Sequence, residues 1–197
     1  HWTGDADGSD NPLDLIMDGS KEITGHFRKG TGHVKIQTDP AGLTVLVNGS
    51  PFVAPVMFDW IPNTIQTLSV TDSQGDSSTG TIRTFDRWSD GGERTHDVTV
   101  PETPVTYTAF FQTSHFLELV SDYGNPSGEG WYIQDSTATI SVEDFVETSG
   151  QIRQKFSGWT GTGQGSVTSE NRILEIQVEG PIIQQAQWVP QFNLDVG

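Results

Sequence analysis

Apolar residues along this chain recur at every second position, in short runs separated by Gly, Pro, Asn, Asp and Ser, and a 3.6-residue helical period is nearly absent. Period two over short runs predicts strands. They fall at 33–38, 44–47, 67–71, 79–88, 95–100 and 105–112, and again at 116–121, 130–133, 138–142, 152–159, 173–178 and 182–188. Asn48-Gly49 is a hairpin dipeptide, because both residues tolerate positive φ. Residues 52–58, with Pro51 before them and Pro55 among them, read as an edge or irregular strand. The polar stretch 72–76 reads as a loop, and 143–150 as a loop or short helical turn.

Three stretches align by their aromatics: 1–27, 85–111 and 155–188. Each runs Trp, Thr or Ser, Gly or Asp, a polar loop, a strand, an acidic turn, a strand and a closing aromatic. Trp88 and Trp159 lie 71 residues apart, and the repeat is about 75 residues long. The expected organisation is the C-terminal half of a module at 1–28, complete modules at 33–112 and 115–188, and a linker with the first strand of a following module at 189–197. Short joints at 28–32 and 113–114 would limit motion between modules. The chain starts on His1-Trp2-Thr3-Gly4 rather than Met, as an interior stretch of a longer precursor would.

The second stretch carries Phe85, Trp88-Ser89-Asp90-Gly91-Gly92, then Thr106-Tyr107-Thr108-Ala109 and Phe111. The third carries Gly130-Trp131-Tyr132, Phe156, Trp159, Gly161, Ala186 and Trp188, and the first carries Trp2-Thr3-Gly4-Asp5, Asn11-Pro12 and Phe27. This grammar resembles the divergent internalin-type B repeats of bacterial and archaeal cell-surface proteins. The resemblance implies an extracellular stalk, spacer or adhesion module with no catalytic residues. The third copy has Gly161-Thr162-Gly163 at the Asp-Gly-Gly corner, so Asp90 is replaceable within the chain.

The fold class expected is all-β: tandem small β-sandwich-like modules of antiparallel strands, with β-grasp-like modules as the alternative. Only 33% of residues are hydrophobic, but six Trp and ten Phe can close small cores at few positions. The structural core is assigned to Trp2, Trp88, Trp159, Phe85, Phe156, Phe111 and Trp188. Phe85 and Trp88 are three apart, as are Phe156 and Trp159, so each pair faces opposite sides of a regular strand. Both rings can enter one core only across a bulge.

Charge and chemistry narrow the function classes. Twenty-six acids against ten bases give a formal net charge of −16, which disfavours nucleic acid as a partner. With no cysteine, disulfides and thiolate metal sites are excluded. No apolar run approaches the roughly 20 residues of a membrane span. No nucleophile elbow, phosphate loop or His-x-x-x-His spacing occurs, and no enzymatic activity is expected. No cofactor is required by the sequence, with calcium the one candidate: Asp5, Asp7, Asp10 and Asp14 crowd a Gly-containing loop, against the alternative of a solvated Asx-turn loop. Trp131 and Tyr132 are the candidate binding pair for a glycan or protein, and Asn48-Gly49-Ser50 is a glycosylation sequon. His26, His33 and His115 fall near module joints and read as linker residues.

The reading that results is a non-catalytic extracellular or cell-surface structural segment of a stalk, adhesin or filament. Its partners would be neighbouring modules, copies of itself, or a surface glycan or protein. The alternatives are a glycan- or protein-binding adhesion module, and a filament subunit in which residues 191–196 complete the half-module of another copy by strand donation.

Overall fold

A computed structural model of the chain describes residues 1–6, 8, 13–26, 32–149 and 152–192. The alternating sequence gives strands whose side chains alternate between core and solvent. Val34, Ile36 and Thr38 point inward from β3 (Gly32–Asp39), and Leu174, Ile176 and Val178 from β16 (Ile173–Val178). The fold is all-β. Among the described residues the one helical element is a single 3-10 turn, Ser77–Thr79.

The chain begins with a ribbon, β1 (Trp2–Gly4) against β2 (Ile23–Gly25). The first core lies between two sheets. One contains β4 (Thr44–Val47), β5 (Ser50–Val53), β7 (Ile65–Ser69) and β10 (Thr95–Thr99), in the order β10-β7-β4-β5. Opposite it lie β3, β6 (Val56–Trp60), β8 (Ser73–Asp76), β9 (Thr81–Trp88) and the first part of β11 (Val105–Val120). Val34, Val45, Leu68, Trp88, Val98 and Ala109 meet there, drawn from both sheets.

The second core repeats the plan. The pair β13 (Ser136–Ser141) and β16 covers a sheet of β12 (Gly130–Ile133), the last part of β11, β17 (Ile182–Phe192), β15 (Ile152–Thr162) and β14 (Phe145–Ser149). Leu117, Ile140, Trp159, Ile176 and Ile182 close it.

Antiparallel pairing dominates, with one parallel pair added per core. β3 runs parallel to β11, Val34 facing Val105 through Asp39 facing Phe110. β11 runs parallel to β17, Leu117 facing Ile182 through Val120 facing Gln185. In both cores the first and last strands are therefore neighbours.

β11 differs most from expectation. Thr113–Ser114 reads as a joint in the sequence, yet it lies inside one sixteen-residue strand. Tyr107, Ala109 and Phe111 of β11 enter the first core, and Leu117 of the same strand enters the second. Its neighbours change along its length: β3 and β9 on the first part, β12 and β17 on the last. Every residue of β11 has at least one ladder partner, and β9 spans the passage between cores from Ala109 to His115, so no unpaired residue separates them. The joint is reinforced from outside. Phe116 N donates to Gly80 O at 2.9 Å, Gln134 N to Thr113 O at 2.9 Å, and Thr81 Oγ1 lies 3.0 Å from His115 Nδ1. His115 is buried there, held by both cores rather than standing in a linker.

Three smaller differences have physical reasons. Residues 73–76 form β8 although none is apolar, because β9 supplies a ladder and the Gln74 amide bonds both the N–H and C=O of Thr44 at 2.7 and 2.8 Å. Phe145–Ser149 is an edge strand on β15 rather than a loop or helical turn, and Arg153 lies 4.0 Å over the Phe145 ring. The expected strand 52–58 divides into β5 and β6, which belong to opposite sheets, with Ala54-Pro55 at the crossing. Both are edge strands, where proline is tolerated.

Candidate functional site

The chemistry-bearing sequence Trp-Ser-Asp-Gly-Gly folds as the lid of the first core. Trp88 is almost wholly buried, and its indole N–H donates to Arg94 O at 3.3 Å. A bulge brings both rings inside: Phe111 faces Phe85 and Phe110 faces Arg87, leaving Asp86 with no residue opposite it in the ladder. Phe85 then sits 6.3 Å from Trp88 and 5.8 Å from Phe111, ring centre to ring centre. Gly91, with φ of +77°, turns the chain, and its N–H donates to Trp88 O at 3.1 Å. Asp90 accepts from Gly92 N at 3.2 Å and lies 3.0 Å from His96 Nε2. The His96 ring meets Trp88 edge-on at 5.5 Å, and a Cβ on Gly92 would fall 2.4 Å from that ring. Tyr107 lies beneath. Burial, then the Asp90 charge, push its hydroxyl above the ordinary tyrosine range.

The second core has the same frame. Trp159 is buried and donates to Arg172 O at 3.4 Å. Ser157 is the bulge residue, between the Phe156–Trp188 and Gly158–Gln187 pairs. Phe156 lies 5.5 Å from Trp159 and 5.9 Å from Trp188. Trp159 faces Ala186 across the ladder, as Trp88 faces Ala109 and Trp2 faces Gly25. Trp2 differs in being half-buried on the β1–β2 ribbon rather than within either core. Phe27 lies outside the described residues.

Gln184, not anticipated from the sequence, takes the position of Tyr107 in the second core. It is fully buried, and its amide accepts from Val167 N at 3.1 Å and donates to Val167 O at 2.9 Å. Its oxygen lies where a Cβ on Gly161 would be, 1.6 Å away, which is why glycine stands opposite. A reader of the sequence could find Gln184 by aligning Ala109 with Ala186 and asking what precedes each by two.

The remaining candidates are scattered. Trp131 is exposed and leans on Phe116 across the β11–β12 ladder, ring centres 5.3 Å apart. Tyr132 is half-buried against the second core and donates to Gly128 O at 2.8 Å. Asp5 accepts from Glu22 N at 2.8 Å, Asp14 is exposed, and Asp7 and Asp10 lie outside the described residues. Among the described residues no group of three or more potential ligands converges. Asn48 and Gly49 make the expected hairpin with φ of +50° and +80°. The Asn48 amide accepts from Thr67 N at 2.9 Å and donates to Gln66 at 2.7 Å, at an exposed tip. His33 pairs with Asp59 across the β3–β6 ladder. No helix of the described residues is long and apolar enough to cross a membrane.

No family model matches the chain, and neither does any curated protein or solved structure.

Proposed function

We propose that the chain is a non-catalytic structural segment of an extracellular or cell-surface protein, a spacer that holds what lies at its two ends at fixed separation and orientation. The observation that carries this reading is β11, one strand built into two cores. A joint of that kind has no free dihedral to bend about, so position is transmitted from module to module. The Gly80 corner adds to it: a Cβ there would fall 2.9 Å from Pro181, so the turn of one module is seated on the other. The resemblance to internalin-type B repeats and the net charge of −16, which keeps such surfaces soluble and mutually repelling, agree with this use.

The test is backbone 15N relaxation of the full chain beside a variant with a flexible Gly-Ser insertion between Thr113 and Ser114. The native chain is expected to tumble as one anisotropic body and the variant as two. Independent tumbling of the two cores in the native chain would overturn the spacer reading.

A further inference from the structure

The second module carries a continuous groove on its solvent face. Along β17, Ile182, Gln184 and Ala186 point into the core, so Ile183, Gln185 and Gln187 point out. Across the ladder from them stand Thr162, Thr160 and Gly158. Four clefts of about 510, 210, 440 and 500 Å³ follow one another over this surface. Thr162 and Ile183 line the first and second, Thr160 the second and third, Ser157 and Glu170 the third and fourth. The turn Ser77–Thr79 of the first module walls one end, and Thr168, Ser169 and Glu170 wall the middle. From Pro181 to Gln191 the groove follows about 30 Å of strand.

The lining chemistry selects a ligand class. Hydroxyls and primary amides both donate and accept, which suits a partner that offers hydroxyls in both roles. Phe116 and Ile183 at one end and Val189 at the other supply apolar surface between them. Charge is nearly balanced, with Glu118, Asp144 and Glu170 against Lys155 and Arg172, although the chain as a whole is strongly acidic. Either sign of polyelectrolyte would meet like charges. A peptide adding as a strand would pair at a ladder edge, whereas this groove lies over the outer face of the β15–β17 ladder, among its side chains.

The first module shows that this surface is not a by-product of the fold. At the places of Gln185 and Gln187 it has Thr108, buried and accepting from Gln37 at 3.0 Å, and Phe110, with Arg87 lying 4.5 Å over its ring. That face is closed by its own side chains, whereas in the second module Gln185 is exposed and Gln187, half-buried, donates to Thr160 Oγ1 at 3.1 Å.

We propose that the groove over β15 and β17 binds an extended, uncharged oligosaccharide. Trp131, packed on Phe116 and exposed, extends the apolar end of the groove.

The test is NMR titration of the full chain with neutral hexasaccharides of glucose, xylose, mannose and N-acetylglucosamine, and with an uncharged extended peptide. Saturable shifts are expected at Thr160, Thr162, Gln185 and Gln187 with at least one sugar. The double variant Gln185→Ala/Gln187→Ala should weaken binding roughly tenfold, and because neither residue belongs to the core the melting temperature should change little. Three outcomes would each overturn the proposal: no saturable binding to any sugar, binding indifferent to the double variant, or binding of the peptide instead. None of these bears on whether β11 makes a stiff joint.

Discussion

Trp88 and Trp159 occupy equivalent places in two cores, each opposite an alanine and each reached across a bulge, yet the residue two positions on is Asp90 in one and Gly161 in the other. Around Trp88 the cover is ionisable: Asp90 reaches His96, which lies against the indole, and Tyr107 sits below. Around Trp159 the cover is an amide, Gln184, bonded to the backbone of Val167. The frame of bulge, tryptophan and small cross-strand partner is what the repeat requires, and the cover is free to vary provided buried polar groups stay paired. That separates the packing role of the Trp-Ser-Asp-Gly-Gly corner from the particular charges it contains.

The largest effect should come from the frame. Trp88→Ala and Trp159→Ala should each cost about 3–5 kcal/mol. Because β11 serves both cores, either variant is expected to lower the urea midpoint of the whole described body, with one transition followed by circular dichroism. Two separate transitions in the native chain would mean the cores are energetically independent despite the common strand.

A middle-sized effect should distinguish the covers. Gly161→Ala should cost about 1–3 kcal/mol, because the new methyl displaces the Gln184 amide and uncouples Val167. Asp90→Ala, at the equivalent place, should cost about 1 kcal/mol, since only a partly exposed contact with His96 and a turn bond are lost. Denaturation of both variants in urea reads the difference, and equal costs would break the distinction.

The smallest effect is a pH dependence confined to the first module. The Tyr107 hydroxyl titrates higher when folded than when unfolded, so its contribution is fully present below about pH 10, the ordinary tyrosine value, and is lost as pH rises toward the folded value. Tyr107→Phe should therefore gain stability relative to the native chain above that pH and not below it. Gln184 has no corresponding proton to lose.

The strands, the Asn48-Gly49 hairpin and the three aligned tryptophans were legible because period-two alternation and turn chemistry are local. So was the need for a bulge between Phe85 and Trp88, a consequence of side-chain direction alone. β8 was not legible: Ser73-Gln74-Gly75-Asp76 has no apolar residue, and its order comes from β9 and from Thr44 on the opposite sheet. Thr113 and Ser114 read as a joint because polar residues between two apolar sets mark linkers as often as they mark a paired strand, and the β9 ladder that holds both is set by residues some thirty positions away. The groove was hidden for a related reason. Gln185, Gln187, Thr160 and Thr162 are ordinary surface residues until the ladder sets them in one row beside the turn at Gly80.

The parallel pairing of first and last strands decides how the chain would answer a pull on its two ends. Force enters the first module through β3 and leaves through β11, its hydrogen-bonded neighbour, so the two strands are dragged past one another in shear and several bonds must fail together. Six residue pairs carry that load between β3 and β11, and four between β11 and β17. Under tension the second module is the weaker link, so the oligosaccharide groove would be distorted before the Asp90 corner gives way.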